Sequence, residues 1–305
     1  MLKESVRKEL MAIAMDMNIR FDEPMREHTS LRIGGPADAF VTPTSADGLS
    51  ALVKFCSAKG LENLMLGGGT NTLAADAGVK SIVIHSGGMD EIEIIRDVDG
   101  KVEMNVGTGL RLQGLLAYCK REGLSGLEGL TGVPGHVGGA IAGNAGSFGS
   151  SISDVLIDVV IMDSDGTIRT IKKEELSMGY RSATLPSGAM IMRAGMRFNR
   201  LQEGEVARRI QQYLITKKDT QPLDSLSAGC VFKNPQEDSA GRLLDAAGCK
   251  GMREGGIEVS SLHAGFFINT DEGNASDFLR LMDRTHVRVH EAFGISLEPE
   301  IKVIG

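Results

Sequence analysis

Apolar residues at Leu2, Val6, Leu10, Ile13 and Met17, separated by charged and polar ones, follow the spacing of an amphipathic helix at the start of the chain. Ala39-Phe-Val41 then reads as a short extended piece. Ser45 stands where a helix cap belongs, ahead of an apolar stripe at Leu49, Leu52, Val53 and Cys56 that Gly60 ends. An apolar run, Leu61-Glu-Asn-Leu-Met-Leu66, enters Gly67-Gly-Gly-Thr-Asn71, and a second run, Ser81-Ile-Val-Ile-His85, follows, so the pattern predicts a βαβ-like unit with a glycine loop. Between 91 and 107 the chain alternates apolar and polar on both sides of Asp99-Gly100, as a hairpin with one buried face does. Helical spacing returns at Leu112, Leu115, Leu116 and Cys119 and stops at Gly123. A further hairpin is expected around Asp163-Ser-Asp-Gly166, with a strand ending near Asn199.

The pattern changes near Gly204. Val206, Ile210, Tyr213 and Leu214 mark a helix that Gln221-Pro222 ends, and a helix at 239–247, strands near Ile257 and at 264–269, and a long helix at 274–293 follow. This tail is an α+β unit of about 100 residues, a common domain size. A chain of 305 residues is at or beyond the size where one core stops growing. The expected division is therefore a domain over 1–203, in lobes of about 1–85 and 86–203, and a C-terminal α+β domain over 204–305.

The formal charge of -7 is spread over interspersed acids and bases, with no basic run, which argues against nucleic acid as a partner. The N-terminal stretch lacks the apolar run of a signal peptide, and no segment is long enough to span a bilayer. Four cysteines without a C-x-x-C pair suit a reducing compartment, so a cytoplasmic location is expected. The composition leaves the oligomeric state open.

The 39 glycines are clustered. Gly67, Gly68, Gly69, Thr70 and Asn71 follow a strand, so their backbone N–H groups suit an anion-binding nest or a plain tight turn; neither a phosphate-loop lysine nor a G-x-G-x-x-G is present. Glycine then recurs every third residue from 123 to 138, ahead of Gly139, Asn144 and Gly146. A loop so poor in apolar side chains needs an extended ligand or close backbone packing to offset its ordering entropy. Together the two clusters suggest a long, diphosphate-bearing cofactor. Cys230, in SAGCVFKNP, reads by itself as a small buried hydrophobe. His286 and His290, with Asp283 nearby, have metal-ligand spacing but no third ligand motif, and a solvated helix face explains them better.

In chain order, HTSLRIGGPAD from His28, LGGGTN from Leu66, GVPGHVGGA from Gly132, GNAG from Gly143, GYRS from Gly179, AGCVFKNP from Ala228, HAGF from His263 and LEPEIKVIG from Leu297 cover nearly the whole sequence. With this order and spacing the chain resembles the UDP-N-acetylenolpyruvoylglucosamine reductase (MurB) family, in its shorter subclass without an extra loop after Arg181. The resemblance implies an α+β fold: a two-lobed FAD-binding domain of the vanillyl-alcohol oxidase (PCMH) type and a substrate domain whose last strand returns to the active site. It implies FAD held by Gly67, Gly68, Gly69, Thr70, Asn71, Gly132, Gly135, Gly138, Gly139, Asn144 and Gly146, reduction by NADPH, and a sugar-nucleotide substrate.

By the same resemblance Arg181 stabilises charge on the substrate carboxylate and Glu300 polarises the developing enolate. Tyr180, Lys233, Asn234 and His263 are implied as substrate contacts. Cys230 stands where the family usually has a proton-donating serine, and a thiol, the stronger acid, can take that task. Other departures are Thr220 in place of a substrate-contacting lysine, with Lys217 or Lys218 nearby as a substitute, His136 in place of a small hydroxyl residue, and Gly143 in place of a bulkier one. Two alternatives stay open: a homologue that binds flavin or sugar nucleotide without turnover, and an oxidase of the same flavoprotein superfamily acting on another substrate.

Overall fold

A computed structural model describes residues 1–305. By packing, the chain divides otherwise than at a single point near 203. One compact unit comprises Met1–Asp22, Asp38–Gly68 and Ser81–Ile215, and the other comprises Glu23–Ala37, Gly69–Lys80 and Thr216–Gly305. The two inserted segments join the second unit for a physical reason. Leu31, Ile33 and Leu73 are buried in one apolar cluster with Phe232, Phe267 and Phe278, and Thr72–Ala74 pairs in parallel with Lys302–Ile304.

In the first unit, a four-stranded sheet has the order Met17–Pro24, Pro36–Pro43, Val79–His85, Asn63–Leu66. The last two strands run parallel, with Leu66 opposite His85, and the glycine loop and a short strand, rather than a helix, connect them. The helix Ala46–Lys59 buries Leu49, Leu52, Val53 and Cys56; the Ser45 side chain accepts a hydrogen bond from the Gly48 amide at 3.0 Å, and Gly60 ends the helix at φ 61°. The first helix differs from its expected extent. It runs only over Glu4–Ala12, and Met17 opens a strand in which Met17, Ile19 and Phe21 alternate toward the core. The β-type alternation of these three residues outcompetes continuation of the helix through Ile13 and Met17.

The larger sheet of this unit follows the path Ile168–Lys172, Leu156–Met162, Met190–Arg200, Lys101–Gly107, Ile92–Val98, antiparallel throughout. Asp99 and Gly100 turn the first hairpin at φ 53° and 72°, a pair of left-handed residues whose twist matches the flanking strands. Only one strand of that hairpin has the expected buried face. Val102, Met104 and Val106 are buried, whereas Ile94 and Ile95 on the outer strand are 51% and 55% exposed, because that strand is the edge of the sheet. The helix Leu112–Glu122 buries Leu112, Leu115, Leu116 and Cys119 and ends at Gly123 with φ 68°.

The second unit holds a four-stranded antiparallel sheet in the order Ser227–Cys230, Phe266–Asn269, Ile257–Val259, Arg253–Glu254. The helices Ala240–Ala246 and Ala275–Phe293 pack beside it. Asn274 caps the long helix in a reciprocal box: its side chain accepts from the Asp277 amide at 2.8 Å while the Asp277 carboxylate accepts from the Asn274 amide.

Candidate active site

In the first unit, the strand Asn63–Leu66 delivers Gly67 and Gly68 against the second glycine cluster. A Cβ on Gly68 would lie 3.0 Å from the Gly135 Cα, and one on Gly67 would lie 3.4 Å from the His136 Cβ. The two clusters therefore approach closely, and the Gly68 side of the contact has no room for a side chain without a shift. Gly132 and Gly135 are left-handed at φ 75° and 107°. The Gly135 carbonyl accepts from the Leu112 amide and the Val137 amide donates to Leu110 O, each at 2.9 Å. Gly138 packs so closely that a Cβ would come within 2.8 Å of the Thr108 Cβ. Gly139 is different: no atom lies within 4 Å of where its side chain would begin. Part of the glycine content thus serves protein–protein packing, and Gly139 borders open space.

His136 is 8% exposed; its Nδ1 is 3.1 Å from the Ser86 hydroxyl and its ring centroid 5.4 Å from that of His85. Burial, aided by the positive charge of Arg111, pushes its pKa below the usual histidine value, so the ring is neutral at neutral pH. Ser86, His85 and Thr108 are contacts the sequence gives no sign of, because apolar strand and turn patterns do not say which loop they meet.

A second group of residues in this unit gathers near Gly146. Asn144 is left-handed at φ 39°, and its Nδ2 donates to Gly179 O at 2.8 Å. Gly179 ends one of two short paired strands, Met178–Gly179 and Ser182–Ala183, and Tyr180 and Arg181 form the turn between them. Arg181 is also left-handed, at φ 53°, and its guanidinium carbon lies 5.2 Å from the centroid of the exposed Tyr180 ring. A Cβ on Gly146 would sit 3.3 Å from Arg181 Nη1. Two non-glycine residues held in a sparsely populated backbone region are a mark of functional constraint.

In the second unit, Cys230 ends the strand Ser227–Cys230 opposite Phe266 and is half-buried. The other three cysteines are buried, and burial pushes the Cys56 thiol up to about 11 and the Cys119 thiol up to about 12, and raises Cys249 as well. Beyond Cys230 the chain runs antiparallel to 298–301. The Lys233 amide donates to Glu298 O and the Glu300 amide to Val231 O, both at 2.8 Å, with Phe232 bridging to Pro299. Glu300 is thereby anchored beside the residue that follows Cys230.

His263 lies near the same place. The point where a Gly265 Cβ would sit is 3.4 Å from Cys230 Sγ and 3.1 Å from His263 Nδ1. That nitrogen accepts the Gly265 amide at 3.1 Å, and burial lowers the ring's pKa, which together fix a neutral ring with its proton on Nε2. Lys233 pairs with Glu298 at 2.5 Å, and Asn234 Oδ1 accepts the Ala240 amide at the start of a helix. Asn71 donates through Nδ2 to Glu300 O at 3.1 Å, and Gly69 is left-handed at φ 60° against His28 O. Lys217 is buried at 2% exposure, and the Thr220 hydroxyl bonds back to Thr216 O. A separate cleft of about 850 Å³ in this unit, lined by Arg26, Arg32, Asp76, Asn269 and Arg280 among others, contains none of the expected site residues.

Residues 37–172 match the FAD binding domain family. The fold is shared by BBE-like 1 of Physcomitrella patens, with a TM-score of 0.50 at 19% identity over 63% of this chain and 44% of that one. The molecule is thus an α+β protein with an FAD-binding domain of the PCMH type. Residues 221–304 match the C-terminal domain of UDP-N-acetylenolpyruvoylglucosamine reductase. The reductase of that name from Lachnoclostridium phytofermentans is 35% identical over 98% of this chain and 97% of its own. The crystal structure of UDP-N-acetylenolpyruvylglucosamine reductase (MurB) from Thermus caldophilus superposes with a TM-score of 0.79 at 34% identity, covering 95% of this chain and 99% of that one. The chain belongs to the UDP-N-acetylenolpyruvoylglucosamine reductase family.

The residues present fit the flavin that this domain implies. In the first unit Asn144 keeps a buried Oδ1 with no hydrogen-bond partner in the chain, and Gly139 faces open space. An acceptor left open beside side-chain-free backbone suits a dinucleotide whose hydroxyl and ring N–H groups are donors.

Proposed function

We propose that this chain reduces UDP-N-acetylglucosamine enolpyruvate to UDP-N-acetylmuramate with electrons from NADPH, as a cytoplasmic step in making peptidoglycan precursors. The observation that carries this reading is the antiparallel contact of 230–233 with 298–301, which sets Cys230 and Glu300 on adjacent backbone in the part of the chain that matches the reductase C-terminal domain. Residues 1–203 are assigned to cofactor binding and 204–305 to the sugar nucleotide. The cytoplasmic placement rests on four cysteines that form no disulfide. No helix is long and apolar enough to cross a membrane.

The chemistry that bound FAD supplies is acceptance of a hydride from NADPH and its delivery to the terminal alkene carbon of the enolpyruvyl group. Charge then develops on the neighbouring carbon and the substrate carboxylate. Arg181 holds that carboxylate with its guanidinium. Glu300 in its protonated form donates a hydrogen bond to the developing enolate oxygen. Cys230 Sγ gives its proton to the carbanionic carbon, completing the addition of a hydride and a proton across the double bond, and the thiolate is reprotonated from solvent. Gly67, Gly68, Gly69, Thr70, Asn71, Gly132, Gly135, Gly138, Gly139, Asn144 and Gly146 are assigned to the cofactor, and Tyr180, Lys233, Asn234 and His263 to the substrate.

An anaerobic titration of the purified protein tests this reading. The visible flavin band should bleach with NADPH and return when the enolpyruvyl substrate is added. Bleaching without return would point to another acceptor or a disabled proton donor, and a protein without a flavin band would sink the cofactor assignment.

A further inference from the structure

The backbone of Glu300 is tied by hydrogen bonds on two sides. On one side its amide donates to Val231 O at 2.8 Å, next to Cys230. On the other, its carbonyl oxygen accepts the Asn71 side-chain amide at 3.1 Å, and the Lys302 amide donates to Asn71 O at 3.0 Å. The register continues as Lys302 opposite Thr72, Val303 opposite Leu73 and Ile304 opposite Ala74. Asn71 is therefore the last residue of the glycine loop and the first tie of the strand pair that follows Glu300. Its two amide ends differ. The nitrogen, the only end able to donate to a carbonyl, is committed to Glu300 O, while Oδ1 is buried with no partner in the chain.

We infer that Asn71 is a positioning residue for Glu300: its side-chain amide fixes the backbone from which the carboxyl group projects, and so links the glycine loop to the acid that acts on the substrate. The inference rests on the role proposed for Glu300 and extends it. A carboxyl group that must meet a developing enolate is useful only within a narrow range of positions, and a shift of about 1 Å in such a group costs on the order of a hundredfold in rate.

The test is a double-mutant cycle of Asn71→Leu and Glu300→Gln, read on the two half-reactions of the flavin-loaded protein separately. Asn71→Leu removes the donor at similar volume and is expected to slow reoxidation by the enolpyruvyl substrate roughly tenfold or more beyond any change it makes in flavin reduction by NADPH. If Asn71 acts through Glu300, the double variant should reoxidise no more slowly than Glu300→Gln alone, since residues acting as one unit do not add. Amide hydrogen exchange over 298–304 should also quicken in Asn71→Leu, a change that needs no turnover to be seen. Should Asn71→Leu fail to retain flavin, Asn71→Asp, which keeps an acceptor and loses the donor, replaces it in the same cycle. Additive losses, equal loss of both half-reactions, or unchanged reoxidation each overturn the inference. A wild-type protein that bleaches but is not reoxidised overturns the proposed function and the inference with it, whereas a wild-type protein that turns over beside an unaffected variant overturns only the inference.

Discussion

Arg181 and Cys230 are given complementary tasks by backbones of opposite character. Arg181 sits at φ 53° in a turn between two-residue strands, next to Asn144 at φ 39°. Cys230 ends a strand of a four-stranded sheet, after a shift in register from Ser227, and beyond it Val231 and Lys233 hydrogen-bond to 298–301. The first position is maintained against an intrinsic backbone cost of order 1–3 kcal/mol. The second lies in a favoured backbone region and depends on ladder hydrogen bonds. The carboxylate-binding role proposed for Arg181 thus falls on a residue held by local strain and a few contacts, and the proton-donating role proposed for Cys230 falls on one set in a sheet.

Removing the donor should give the largest effect. Cys230→Ala is expected to slow substrate-driven flavin reoxidation by roughly 10²–10⁴-fold, the usual scale for a lost general acid. Cys230→Ser should recover most of that rate, and both variants should unfold at nearly the wild-type temperature. A serine variant as slow as alanine would count against proton donation from this position. Arg181→Ala should cost on the order of 10²–10³ in the same step and spare flavin reduction by NADPH. Its stability sharpens the contrast: Arg181→Gly should be more stable than Arg181→Ala by about 1 kcal/mol, the reverse of the usual order, because glycine alone adopts positive φ without strain. Equal melting temperatures for the two would show that the turn is not strained.

The smallest effect concerns His136. Its folded pKa lies below the ordinary value near 6.5, so in the window between the two the unfolded chain binds more protons. Stability is then full above about pH 6.5 and is lost as the pH falls toward the folded value. The melting temperature should fall between pH 7.5 and 5.5, and His136→Gln should flatten that slope. An unchanged slope would assign the acid sensitivity to other groups, His263 first among them, since burial depresses it in the same direction.

The elements with a strong period and a marked end were legible in the sequence. The helix Leu112–Glu122 shows its stripe and its closing glycine, and the turn at Asp99-Gly100 announces its own φ signs. The first helix was read too long because Ile13 and Met17 fit two periods at once, and the sheet, not the local pattern, settled the choice. Membership of the inserted segments in the second unit had no local signal at all. It depends on Leu31, Ile33 and Leu73 finding Phe232 and Phe267, residues far away along the chain. For the site, the motifs marked the glycine clusters, yet spacing alone could not reveal that Gly68 lies against the backbone of Gly135. The link from Asn71 to Glu300 was equally hidden, since parallel pairing of distant short strands leaves no periodic trace.

That parallel pairing also bears on how the molecule is made. Thr72–Ala74 is translated long before Lys302–Ile304. The second unit therefore cannot complete its pairing until Lys302–Ile304 has been made, and the glycine loop must wait beside an unmet strand edge until then. Contacts so distant in sequence are slow to close and expose the chain to misassembly meanwhile. The ordered loop is consequently a late product of folding, formed together with the segment that bears Glu300.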